Sequence, residues 1–214
     1  MRALLGLGLL LLLALVAALF LVETSEDAPD APVETAIGAA HLIYPRGYAR
    51  DEASAVGGLT DRLSLMAELP DFTPPRGKGS KAGQNPQNDV VLITISAKDD
   101  SLDPKDRPRG LYARFLESRV WVGPEGLILR RFEQGSPYDL EELYIAPPDG
   151  RTFFARCPKP GETEAAADFC LFVFREDDLD VELRFAPALL EHWEALTEGA
   201  HAFLARIRAP REKR

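Results

Sequence analysis

The chain has 214 residues, with 34 acidic against 25 basic side chains, a formal net charge of −9 and two cysteines. That balance argues against nucleic acid as a partner, because no strongly basic face is available to neutralise phosphates. The length allows one domain of ordinary size with its own core.

Residues 3–22, ALLGLGLLLLLALVAALFLV, carry no charged or polar side chain. As a helix rising about 1.5 Å per residue they reach about 30 Å, the hydrocarbon thickness of a bilayer. Arg2 precedes the run, and Glu23, Glu26, Asp27, Asp30 and Glu34 follow it. Positive charge stays in the cytoplasm, so everything after Val22 is expected outside. A cleaved signal peptide needs a shorter apolar core and a small-x-small site. Here the Val16 and Ala18 pair is followed by four more apolar residues. The expectation is therefore an uncleaved, single-pass inner-membrane anchor over residues 1–22 with a periplasmic domain behind it.

Residues 23–37 are acidic and contain Pro29 and Pro32, the composition of an extended tether. The exported domain is expected over residues 38–207. It opens on HLIYP, a candidate strand. In LTDRLSLMAEL, Leu59, Leu63, Met66 and Leu69 fall three to four apart, which predicts a short helix stopped by Pro70. Residues 73–89 are rich in Gly, Pro, Ser and Asn and read as a flexible surface loop.

The pattern then turns to β. DVVLITISA is a continuous β-branched run suited to a central strand, and RGLYARFLES is ambiguous between strand and helix. SRVWVG, GLILRRFEQG, LEELYIA, RTFFARC and FCLFVFR follow at short intervals, separated by Gly/Pro turn signals. Links this short join antiparallel neighbours. LDVELRF alternates strictly, with Leu179, Val181, Leu183 and Phe185 on one face. After Pro187, Leu189, Leu190, Trp193, Leu196, Ala200, Phe203, Leu204 and Ile207 form a helical apolar stripe. Residues 208–214 read as a basic, solvated tail. The predicted class is α+β: an N-terminal transmembrane helix, then one domain with a meandering antiparallel β-sheet packed by an amphipathic C-terminal helix and a short N-terminal helix.

Chemistry-bearing patterns are sparse. Cys157 and Cys170 flank a polar, turn-rich segment, and an even count in an oxidising compartment points to one disulfide clamping a hairpin. His192 and His201 are nine residues apart and face opposite sides of their helix, and no zinc spacing occurs. The acidic run Glu176, Asp177, Asp178, Asp180 and Glu182 lacks the order of a calcium loop and reads as a solvated face offset by Arg184. PRGKGSKAG lacks the order of a phosphate loop, and no nucleophile elbow is present. No cofactor and no metal are expected. One stretch, residues 132–144, combines a Gly-Ser-Pro turn with tyrosines, and Ser136, Tyr138 and Tyr144 are its candidate partner contacts. The first functional expectation is a non-enzymatic, membrane-anchored module that binds a protein partner or scaffolds the envelope. Two alternatives stand beside it. One is an envelope enzyme using dispersed groups such as Asp178, Asp180 and His192. The other is a periplasmic inhibitor of the immunity type that neutralises a toxin.

Overall fold

The computed structural model describes residues 28–75, 89–161 and 169–210. Its elements run β1 (Pro32–Ile37), β2 (Ala40–Pro45), α1 (Glu52–Val56), β3 (Gly58–Leu59), β4 (Arg62–Glu68), β5 (Val90–Ala97), α2 (Arg107–Gly110), β6 (Trp121–Val122), β7 (Ile128–Arg131), β8 (Glu141–Ile145), β9 (Phe154–Pro158), β10 (Cys170–Glu176), β11 (Leu179–Phe185) and α3 (Trp193–Ile207). Eight strands form one antiparallel sheet in the order β4-β5-β11-β10-β9-β8-β7-β6, and β2-β1-β3 form a small second sheet.

The period-two alternation of β11 decides which face of the large sheet is dry. Leu179, Val181, Leu183 and Phe185 are buried, and Leu63, Leu65, Ile93, Ile95 and Phe172 of the neighbouring strands join them. The stripe of α3 closes this inner face with Leu196, Ala200, Phe203, Leu204 and Ile207, and the small sheet adds Leu42 and Tyr44. Each such side chain contributes about 1.5–3 kcal/mol when fully buried. Gly199 lets the Phe72 ring lie against α3, since a Cβ there would stand 2.4 Å from a ring carbon. Arg206 and Tyr48 both donate to the Phe72 carbonyl, at 2.8 and 2.9 Å, and pin that loop to the helix.

Polar groups buried between the two sheets find partners, as burial requires. The Tyr44 hydroxyl donates to the Ser54 carbonyl at 2.7 Å and lies 3.0 Å from the Thr35 hydroxyl. Asp51 caps α1 by accepting from the Ser54 amide at 2.8 Å. On the outer face, α2 and the turn after it (residues 112–115) cover part of β7–β9 with a second apolar cluster. Tyr112, Phe132, Leu143, Ile145 and Phe154 are its buried members.

The α+β class and the packing of the sheet by α3 match the sequence expectation, and several elements correct it. The transmembrane helix that the expected class included is not among the described elements: no helix among the described residues is long and apolar enough to cross a membrane. The segment proposed for it, residues 1–22, lies outside the described residues, as does most of the expected 73–89 loop. The helix expected around residues 59–69 is strand β4. Its three-to-four spacing competes with a period-two set, Leu63, Leu65 and Ala67, and the second prevails because β5 offers a partner for all of Arg62–Glu68. The only α-helix nearby among the described residues is the five-residue α1. Residues 32–37, assigned to the tether, form β1, whose Val33, Thr35 and Ile37 are buried against β2. The meander is complete from β6 to β11, but β5 then pairs with β11 rather than β6. Arg208, placed in the solvated tail, bridges to Leu42 and bonds both Asp177 and Asp178.

Candidate functional site

Cys157 on β9 and Cys170 on β10 are joined by a disulfide, with Cα atoms 4.0 Å apart. The register Leu171↔Arg156 sets them directly opposite each other, and both are buried. The bond therefore staples the β9–β10 hairpin at the mouth of its connecting loop, next to the polar segment between the cysteines.

The three candidate contact residues occupy three different settings. Ser136 lies in the turn before β8; its amide donates to the Glu133 carbonyl at 3.1 Å and its carbonyl accepts from Asp139 at 3.2 Å. Tyr138 packs into the outer cluster, with ring centroids 5.0 Å from Phe132, 5.2 Å from Tyr112 and 5.7 Å from Phe115. Tyr144 packs against the core on the other face, and its hydroxyl donates to Glu142 at 3.2 Å. Burial, reinforced by the Glu142 charge, pushes its phenol up to about 12. One approaching surface cannot meet both rings, because the sheet lies between them.

The Arg156 guanidinium stacks over Tyr138 at 5.0 Å and Tyr112 at 5.5 Å while bonding Glu141 at 2.7 Å. Its buried Nε meets no hydrogen-bond acceptor among the described residues, and the two ring faces compensate that charge instead. Glu142, nearly fully buried, pairs with Arg131 at 2.9 Å, and Arg131 in turn lies 4.8 Å from the Trp121 ring.

The acidic run is engaged in ion pairs with arginines and in one hydrogen bond with a histidine. Asp180 takes two bonds from Arg175, at 2.6 and 2.8 Å, Glu182 pairs with Arg184 at 2.8 Å, and Glu176 with His201 at 2.8 Å. The bond to Asp180 raises the Arg175 guanidinium above its already high value. His192 is exposed at the start of α3, at the other end of that helix from Arg208, which bonds Asp178. Among the described residues no group of three or more His, Cys, Asp or Glu side chains could hold a metal.

Two depressions stand out. The larger, about 1010 Å³, runs between the small sheet and the β10–β11 turn. Much of its charged lining is engaged within the fold, since Arg208 bonds both Asp177 and Asp178. The second, about 730 Å³, opens on the outer face at the β6 edge. It is lined by Pro108, Ala113, Leu116, Val120, Ile128 and Ile145, with Arg109, Arg130 and Asp149 among them. Being apolar, with cations on its border, it has the make-up of a recognition surface.

Sequence patterns did not single out this groove, because its apolar residues come from three separated segments. A signal was present nonetheless. Between residues 107 and 131 stand Arg107, Arg109, Arg114, Arg119, Arg130 and Arg131 against Glu117 and Glu125, a local balance of +4 in a chain of −9.

No protein-family model matches the sequence, and comparison with curated proteins finds no match either. Solved structures do resemble it. An immunity protein of the Stenotrophomonas maltophilia type IV secretion system superposes with a TM-score of 0.59 at 20% identity, covering 85% of this chain and 94% of its own. The iron-regulated outer membrane lipoprotein FrpD of Neisseria meningitidis gives a TM-score of 0.45 at 11% identity, covering 81% and 92%. The first likeness establishes a shared fold.

Proposed function

We propose that this chain is a protein-binding inhibitor of the immunity type that acts outside the cytoplasm and neutralises an incoming protein by covering part of its surface. The observation that carries this reading is the fold it shares with a type IV secretion immunity protein over most of both chains. The rest of the molecule agrees with it. A stapled sheet is a preformed surface, so binding loses little ordering entropy. The carboxylates Asp178, Asp180 and Glu182 are engaged by Arg208, Arg175 and Arg184 and serve the fold. The buried disulfide suits an oxidising, extracytoplasmic compartment.

The test is killing between sister cells. Cells deleted for this chain should be killed by their own parental strain, and returning the chain should restore survival. A deletion strain that survives its parent overturns the immunity reading. If those survivors instead lose envelope integrity when grown alone, the partner is a resident protein and the scaffolding role takes its place.

A further inference from the structure

We infer that the partner docks on the outer face of the β6 edge, and that it presents an extended segment in which apolar side chains alternate with carboxylates. This inference rests on the protein-binding reading above and names its surface and the chemistry of its partner.

The first observation is an apolar row that runs out of cover. On the outer face, Phe154, Ile145, Ile128 and Val122 stand opposite one another across four successive strands. Their exposure rises along the row from 2% at Phe154 and 9% at Ile145 to 91% at Val122. The turn after α2 shields the inner members, while Val120 and Val122 are left in solvent. β6 is also the last strand of the sheet, so its outer backbone edge pairs with no described strand. An added strand would satisfy that edge and extend the row at once, which is how strand addition obtains both affinity and selectivity.

The second observation is charge. Arg109, 71% exposed in its side chain, borders the groove within 3.5 Å of Asp149. Arg130 lines the groove as well, while the exposed Arg119 holds its guanidinium 5.3 Å from the Trp121 ring, on the opposite face of β6, where the alternate side chains of an added strand would point. The groove's own charges, Arg109 and Arg130 against Asp149, leave it net positive in a protein of net charge −9. A partner complementary to it carries carboxylates, and long-range attraction speeds its encounter. Protective charges on sheet edges interrupt the apolar row itself. Here the row ends in Val120 and Val122 and the arginines flank it, an arrangement that receives a strand.

A display library of twelve-residue peptides, panned on the full chain, tests this directly. Selected peptides should alternate apolar and acidic residues. They should lose at least about tenfold in affinity on Val122→Glu, and likewise on the pair Arg109→Glu and Arg119→Glu. All three positions are exposed, so an unchanged melting temperature should confirm that the variants fold. Enrichment of basic or uncharged peptides, no enrichment, or binding indifferent to Val122→Glu overturns the inference. So does binding to phosphatidylglycerol vesicles that the arginine variants abolish while peptides fail, since the ligand is then a membrane surface. The sister-cell assay separates the two readings. Protection retained by Val122→Glu removes the docking surface and keeps the immunity role. Acid-selective peptide binding without protection keeps the surface and removes that role.

Discussion

Reducing the Cys157–Cys170 bond should lower stability by about 3 kcal/mol, an amount set by the loop it closes. The cysteines are 13 residues apart. Closing a loop of about 14 residues in the unfolded chain removes about 10 cal/mol/K of entropy, hence about 3 kcal/mol at 25 °C. For a domain of this size the melting temperature should fall by about 6–12 °C. The cleanest comparison is wild-type protein with and without reductant in urea denaturation, because reduction keeps both sulfurs in the core. The reduced chain should also show a larger dependence on urea, since its unfolded state exposes more surface. The double variant Cys157→Ala and Cys170→Ala should lose more than reduction does, because both sites are buried and leave a cavity. A reduced wild-type protein within about 1 kcal/mol of the oxidised one would refute the loop-closure reasoning.

Three further outcomes can be checked by melting curves. Gly199→Ala should destabilise by about 1–3 kcal/mol through overpacking although alanine favours helix, because its Cβ would collide with the buried Phe72 ring; a raised melting temperature would contradict this. Asp51→Ala should cost about 1 kcal/mol at neutral pH by uncapping α1, with Asp51→Asn largely spared. Hydrogen bonds from the Ser54 side chain and amide hold the Asp51 carboxyl below its ordinary value near 3.8, so its contribution is present above that pH and lost as pH falls through the lower folded value. A penalty that grows on acidification would contradict the capping role. Tyr144 works in the opposite direction: burial and Glu142 raise its phenol to about 12, so its contribution is intact below pH 10 and lost as pH rises towards 12. Tyr144→Phe should flatten the alkaline limb of the stability curve, and an unchanged limb would assign that slope elsewhere.

Particular residues mark where sequence patterns sufficed and where they failed. In LDVELRF and the α3 stripe, apolar and polar residues separate with one period only, and both elements form as that period requires. In RLSLMAE two periods coexist, and local pattern cannot choose between them. The tether reading of residues 32–37 failed because the acids and proline of the preceding residues dominate that stretch by composition, while β2 recruits the apolar residues of PVETAI into the core. At residues 132–144 the tyrosines were visible, but their faces were not, since a loop lies between Tyr138 and β8 and breaks the alternation that would relate them.

Legible along the chain were the sheet-forming runs from β5 to β11, the covering helix, the pairing of two cysteines and the acidic balance. Each is encoded by neighbours along the chain, where period and composition act directly. It took the fold to set β11 beside β5, to bring Arg109 and Arg130 to one groove, and to make Val122 the end of an apolar row begun by Phe154. Those juxtapositions join residues distant along the chain, and they arise because burying one face of a sheet dictates which strands share an edge and what that edge leaves in water.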